Sequence, residues 1–174
     1  HGEQDGNLKN TNYTNNLIEW LSDFNADVKA ITEQAENLKM LLCQTNSASG
    51  YGNVSGISSS DFPSALLQLK AHEENENIFL VTPKYFLPYR DHAHITNIGD
   101  RILGEYYGKA YLSIETTGTW EPLRPISLLG MGDKITVTFA GNVGQLVFDT
   151  TLVQPATNYG FEYMDSKGRQ ITNV

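Results

Sequence analysis

The sequence predicts a three-layer α/β unit built on a parallel sheet, followed by a small antiparallel β unit. Helix-like and strand-like segments alternate along the first two thirds of the chain. The strand-like segments there are continuous apolar runs, which are typical of strands buried on both faces under covering helices. Beyond Gly118, apolar and polar residues alternate between turn residues, which indicates antiparallel strands. We therefore expect one domain over residues 1–117 and an appended β-rich domain over residues 118–174.

The first half of the chain contains two predicted helices and one predicted strand. Apolar residues spaced by three and four predict an amphipathic helix over residues 11–39. A short apolar run over residues 40–43 follows it and predicts a buried strand. Residues 47–60 are rich in serine and glycine, which predicts a loop that faces solvent or lines a cleft. Asp61 and Pro63 then favour a helix start, with a side-chain cap and a proline in the first turn.

The second half begins with the most apolar strand of the chain, predicted over residues 78–82. A third helix follows His94, with Thr96 or Asn97 as its expected cap. Further along, we expect strands over residues 134–140 and 145–152. A final hairpin is expected around the turn at residues 165–168.

Composition excludes several classes of protein. The chain has 174 residues with 12 Lys plus Arg against 20 Asp plus Glu, giving a net charge of −8 that disfavours binding to nucleic acid. The longest apolar runs are far shorter than the roughly 20 residues that cross a bilayer, so we expect no membrane span. Cys43 is the single cysteine, so an internal disulfide and a cysteine metal cluster are both excluded. We expect Cys43 to be a small buried apolar residue.

The chain begins at His1, and no basic start followed by an apolar stretch is present. A signal peptide is therefore not predicted. We expect the chain to be processed or cut from a longer protein.

Two of the four histidines lie in the short segment Asp91-His92-Ala93-His94, directly after the strongest predicted strand. In parallel α/β sheets, ligands bind beyond the carboxyl ends of strands. One turn of backbone would bring the Asp91 carboxylate to the Nδ1 atom of His94, as a general base requires. Two alternatives stay open: exposed helix-capping residues, or a metal site in which Asp91, His92 and His94 are ligands.

Two clusters together resemble one family. Asp91-His92-Ala93-His94-Ile95-Thr96, followed by Gly99 and Gly104-Glu105, resembles the Asp-x-x-His block of the SGNH hydrolase superfamily. His1-Gly2-Glu3-Gln4-Asp5 is similar to the Gln-Gly-Glu-Ser-Asp element of its sialate O-acetylesterase-like branch. In this chain His1 replaces the Gln of that element, and Gln4 replaces the Ser. The resemblance covers residues 1–113, with helices and strands in the family's order.

The resemblance implies a flavodoxin-like fold and a serine esterase that removes acetyl groups from sugars, without a metal or an organic cofactor. His94 would be the general base and Asp91 its orienting partner. His1 would lie near the oxyanion-hole donor, while Gly2 and Glu3 would shape that loop.

The family's nucleophile lies in a Gly-Asp-Ser block, and the sequence contains neither this block nor a Gly-x-Ser-x-Gly elbow. The loop serines occupy the wrong place in family order; they are Ser47, Ser49, Ser55, Ser58, Ser59 and Ser60. We therefore expect a partial SGNH unit, whose nucleophile and first strands belong to an upstream amino-terminal segment of the same protein. The 174 residues alone should be inactive.

The expected partners are an acetylated glycan and that upstream segment, with neither nucleic acid nor membrane. A homo-oligomer stays open. The acidic chain fits a secreted, cell-surface or virion-associated protein. The alternative to an esterase is a non-catalytic carbohydrate-binding or structural module of a phage tail or cell-surface protein, which the β unit and the missing nucleophile favour.

Overall fold

The computed structural model describes residues 2–45, 62–91, 93–141, 144–151, 161, 163–164 and 170–171. Contacts divide the chain into two compact units, His1–Asn142 and Val143–Val174. The domain boundary that we predict after residue 117 stays a prediction.

The described residues form four helices and six strands. In chain order they are α1 (Glu3–Asn7), α2 (Tyr13–Thr32), β1 (Met40–Gln44), α3 (Ser64–Glu74), β2 (Ile78–Pro83), α4 (Asn97–Thr117), β3 (Arg124–Met131), β4 (Lys134–Ala140), β5 (Tyr163–Met164) and β6 (Gln170–Ile171). Among these described helices, none is long and apolar enough to cross a membrane.

The first unit contains a parallel sheet of two strands. β1 pairs with β2 in parallel, with Met40 opposite Ile78 and an irregularity between Leu42 and Cys43. Every residue from Ile78 to Thr82 is buried, as the continuous apolar run predicts. The mixed α/β class is therefore confirmed, together with the parallel pairing.

Helices cover both faces of this sheet. Ile78 and Leu80 of β2 belong to the buried cluster that also contains Leu17 and Leu21 of α2 and Ala71 of α3. Because successive strand side chains point to opposite faces, the intervening residues of β2 face the other side. α4 contacts β2 and so covers that side.

The segment after α4 returns to the sheet and begins a hairpin. The Trp120 indole donates to the backbone carbonyls of Leu80 and Val81, 3.1 Å away in each case. Arg124 donates to the carboxylate of Glu73 at 2.9 Å. β3 and β4 then pair antiparallel with both faces largely exposed. Aromatic and charged side chains thus anchor the hairpin to the α/β unit.

The structure corrects three expectations about the elements. α2 ends at Thr32 rather than near residue 39, because Glu33 takes a left-handed conformation with φ of 58° that stops the helix. Residues 144–151 form no strand, so the strand expected over residues 145–152 is wrong for its described part. β3 was not expected, because Pro125 and Gly130 within it are typical of turns.

Other expectations are confirmed or lie outside the described residues. β4 spans Lys134–Ala140 as expected, and β5 pairs with β6 as the final hairpin. Thr96 caps α4, since its hydroxyl accepts from the Gly99 amide at 3.2 Å. Nothing is described for Asp61, for the loop over residues 47–60 or for the turn at 165–168.

Candidate functional site

The candidate site lies at the carboxyl end of the parallel sheet, within the first unit. Three segments meet there: the start of α1, the residues that follow β2, and the loop that leads into α4. Parallel strands end at the same edge, so the chain leaves both strands on that side and binding groups collect there.

The loop before α4 is closed by backbone hydrogen bonds. The Arg90 amide donates to the His94 carbonyl at 2.8 Å, and the Thr96 amide donates to the Pro88 carbonyl at 2.8 Å. Gly99 allows this closure, because a Cβ atom there would lie 3.0 Å from the Pro88 oxygen and 3.0 Å from Ile95 Cβ. The loop is therefore fixed against the first turn of α4.

Asp91 and His94 contact each other within this loop. The Nδ1 atom of His94 lies 3.0 Å from both carboxylate oxygens of Asp91. Oδ1 of Asp91 also accepts from the amides of Ala93 at 2.9 Å and His94 at 2.8 Å. The predicted single turn of backbone is thus present, and the carboxylate that closes the turn also holds the imidazole.

This geometry sets the proton positions on the imidazole. Hydrogen bonds from the Ala93 and His94 amides, and from the His94 ring, hold the pKa of Asp91 well below its usual range. An ionised carboxylate only accepts, so Nδ1 carries the hydrogen and donates. In the neutral imidazole Nε2 is then the acceptor, which is the state that a general base needs.

Gly2 and Glu3 lie at the same end of the sheet. Gly2 has φ of 101°, and a Cβ atom there would lie 2.8 Å from the Tyr13 hydroxyl and 3.1 Å from the Thr45 methyl group. Only glycine meets both requirements, so the start of α1 packs closely against the residue that follows β1. Glu3, the next residue, is thereby directed toward the end of β2.

Glu3 forms a buried ion pair with Lys84, which follows β2 directly. The Lys84 ammonium donates to Oε1 of Glu3, and their side chains are 8% and 15% exposed. Burial opposes ionisation of Glu3, but hydrogen bonds and positive charge, those of Lys84 foremost, outweigh it and lower the pKa of Glu3 to about 2. Burial also opposes the charge on Lys84, but Glu3 outweighs it and raises the pKa of Lys84. Both groups are therefore charged at neutral pH.

These side chains share one pocket of about 500 Å³. Its volume is in the range of small-molecule sites. The pocket is lined by Glu3, Cys43, Lys84, Arg90, Ala93, His94, Ile95, Asp100 and Leu103. The structure thus brings Glu3 and His94, which we predicted as site residues from separate clusters, to the same cavity.

Two of the singled-out histidines and the loop serines are not described. His1 lies outside the described residues, and so does His92. The oxyanion role of His1 and the metal alternative at His92 therefore stay untested. The serines of residues 47–60 also lie outside the described part, and no described serine lines the pocket.

Two residues of the pocket, Lys84 and Cys43, were not predicted as site residues from the sequence. Lysine is rarely buried, and its position directly after the strongest strand was the one available signal. Cys43 is half-buried and lines the pocket, so the expectation of a small buried apolar residue is wrong. It is the fourth of the five residues of β1.

The chain was compared with protein-family models, curated proteins and solved structures. None of them matches it.

Proposed function

We propose that this chain is the carboxyl-terminal part of an SGNH-type serine esterase that removes O-acetyl groups from carbohydrates. The observation that supports it is the contact between Asp91 and His94 beside a pocket at the carboxyl end of a parallel sheet. A carboxylate that fixes the tautomer of an accessible imidazole is the arrangement of a general base and its orienting acid.

In the proposed reaction, a serine hydroxyl attacks the acetyl carbonyl carbon while Nε2 of His94 takes its proton. The carbonyl electron pair moves onto oxygen, and Asp91 stabilises the imidazolium. When this intermediate collapses, the bond to the sugar oxygen breaks and His94 returns the proton to that oxygen. Water then attacks the acetyl-serine by the same route and releases acetate. These steps require no metal and no organic cofactor.

We further propose that an upstream segment of the same protein supplies the nucleophile and additional strands. A groove of about 360 Å³ follows β1, lined by Leu38 to Cys43 and by Trp20, Phe24 and other residues of the flanking helices. No residue of β2 lines it, so it lies on the side of β1 that has no neighbouring strand among the described residues. An unpaired edge between two helices is where a parallel sheet accepts another strand.

The exposure of Asp91 and His94 fits a site that an upstream segment completes. The His94 side chain is 69% exposed and that of Asp91 is 43% exposed. An acid–base pair works best where water is excluded, because electrostatic interactions are then stronger. The upstream segment would supply that cover together with the serine.

The direct test uses the longer protein that contains the upstream segment. We expect His94→Ala to abolish acetate release from an acetylated oligosaccharide, with folding retained by circular dichroism and glycan binding retained. Unchanged acetate release would exclude the esterase. The expected partner is an acetylated glycan, and the proposed location is secreted, cell-surface or virion-associated.

A second candidate function is a non-catalytic carbohydrate-binding or structural module of a phage tail or cell-surface protein. The β3–β4 hairpin supports it, because large apolar side chains on it are exposed, including Leu128, Leu129 and Met131. Such surfaces are typical of interaction sites. The same His94→Ala experiment separates the two, since a pure binding module has no activity to lose.

A further inference from the structure

Lys84 places a buried ammonium group in the wall of the pocket that His94 also lines. The residue is 7% exposed and follows β2 directly. A lysine that only solubilised the surface would not be buried. Taking an ammonium group out of water is costly, and the burial therefore requires specific compensation.

Glu3 provides only part of that compensation. An ammonium group has three N–H donors. Within the described residues, Glu3 accepts one of them, and the other two have no protein acceptor. The nearby Tyr89 hydroxyl is also buried without a hydrogen-bond partner in the described part of the chain. Unsatisfied donors at a pocket wall are available to an oxygen atom of a ligand.

We propose that Lys84 is a further catalytic residue, whose free N–H donors bind the acetyl carbonyl oxygen and stabilise the oxyanion that forms there. This inference rests on the proposed esterase function. It assigns an oxyanion donor to a residue outside the segment His1 to Glu3, where the resemblance places that role. The carbonyl oxygen gains charge when serine attacks, and an ammonium donor is more favourable to an oxyanion than to a neutral carbonyl.

Glu3 makes this role effective in two ways. Its carboxylate fixes the ammonium orientation, so the remaining donors need no reorganisation when the oxyanion forms. It also balances the lysine charge while the pocket is empty, which disfavours unspecific capture of anions. Glu3 is therefore a positioning residue in this proposal, and Lys84 contacts the reacting atoms.

The kinetic test uses the longer protein. We expect Lys84→Met to lower kcat roughly 100-fold with little change in KM, as is found when one oxyanion donor is removed. Lys84→Arg, which keeps charge and donors, should restore part of kcat. Lys70→Met is the matched control, because Lys70 is an exposed lysine on α3 that pairs only with Glu74 in the described structure. Its kcat should be unchanged.

A second measurement uses the 174-residue chain without substitution, and so it does not depend on how a variant folds. Sodium acetate, the reaction product, is titrated while the Lys84 ammonium resonance is followed by NMR. We expect acetate to shift this resonance, whereas sodium chloride at equal ionic strength does not, and Lys70 responds to neither salt. A Lys84 resonance that acetate leaves unmoved would overturn the proposal.

The outcomes separate the two proposals. If His94→Ala leaves acetate release intact, the esterase function fails and the role of Lys84 fails with it. If His94→Ala abolishes release while Lys84→Met keeps kcat, or raises only KM, the oxyanion role of Lys84 alone is wrong.

Discussion

Nδ1 of His94 lies at the same 3.0 Å distance from both carboxylate oxygens of Asp91, three residues earlier in one tight turn. The backbone amides of Ala93 and His94 also donate to Oδ1 of that carboxylate. The imidazole orientation is therefore fixed by local backbone geometry rather than by distant packing, and the contact can be tested by small substitutions.

Asp91→Asn should impair catalysis without unfolding the protein. The amide oxygen of Asn can still accept from the Ala93 and His94 amides, but its NH₂ group would face Nδ1 and favour the wrong tautomer. We expect kcat of the longer protein to fall by roughly four orders of magnitude, the effect typical of this substitution in serine hydrolase triads. Asp133→Asn, in the exposed turn between β3 and β4, is the control. Equal kcat values for the two variants would contradict the role of Asp91.

The Asp91 carboxylate should stay ionised at unusually low pH. Its pKa is lowered in the folded state, so the stabilisation that it provides is complete above the ordinary Asp value of about 3.9. This stabilisation is lost only as pH falls below that value. Carboxyl-carbon NMR of the 174-residue chain should show Asp91 titrating below the ordinary Asp value. A titration of Asp91 at the ordinary value would exclude the amide and imidazole hydrogen bonds in solution.

Glu3→Gln should change the dependence of stability on pH. Because the folded-state pKa of Glu3 is lowered, the ion pair stabilises the protein fully above the ordinary Glu value of about 4.3. This contribution is lost as pH falls through the folded-state pKa. We expect the free energy of unfolding of the variant to be lower by about 1.5–3 kcal/mol at neutral pH, and by less in acid. Urea unfolding at both pH values measures this difference. Glu19→Gln, exposed on α2, is the matched control and should change the free energy of unfolding at neutral pH by less than about 0.5 kcal/mol.

Gly99→Ala and Gly104→Ala should have opposite effects, although both lie in α4. A Cβ atom at Gly99 would lie 3.0 Å from backbone and side-chain atoms of the preceding loop, whereas one at Gly104 meets nothing within 4 Å. We expect Gly99→Ala to lower the free energy of unfolding by about 1–3 kcal/mol. Gly104→Ala should raise the free energy of unfolding by up to about 1 kcal/mol, because alanine is the better helix former. Urea unfolding of both variants measures these two changes in stability. Stabilisation by Gly99→Ala would contradict the close packing of the loop against α4.

The 174-residue chain alone should release no acetate from an acetylated oligosaccharide above background. The proposed general base, His94, belongs to this chain, but we propose that the serine lies on an upstream segment. Adding that segment by co-expression should restore acetate release. If the chain alone is active and His94→Ala removes this activity, the nucleophile belongs to this chain and the proposed upstream position of the serine is wrong.

The local parts of the fold and site were predictable from the sequence. Continuous apolar runs indicated the two parallel strands, and the spacing of Asp91 and His94 indicated their contact. Each strand as a separate segment, and the contact of Asp91 with His94, depend on residues a few positions apart. The capping role of Thr96 is of the same kind, since cap and amide are three residues apart.

The parts that escaped prediction depend on distant residues. Lys84 is buried because Glu3, 81 positions away, compensates its charge. β3 forms because β4 supplies its hydrogen-bond partners, despite Pro125 and Gly130. Conversely, residues 144–151 have a strand-like pattern but no strand partner among the described residues. A pattern along the chain contains no direct information about these pairings.

The hydrogen bonds of the Trp120 indole limit where the chain can be truncated. A chain ended after residue 117 would keep Asp91, His94 and Lys84, but it would lose the donor that satisfies the Leu80 and Val81 carbonyls. It would also leave Glu73 without the Arg124 guanidinium. The shortest piece suited to transplantation into another polypeptide therefore extends through the β3–β4 hairpin, even though every site residue lies before it.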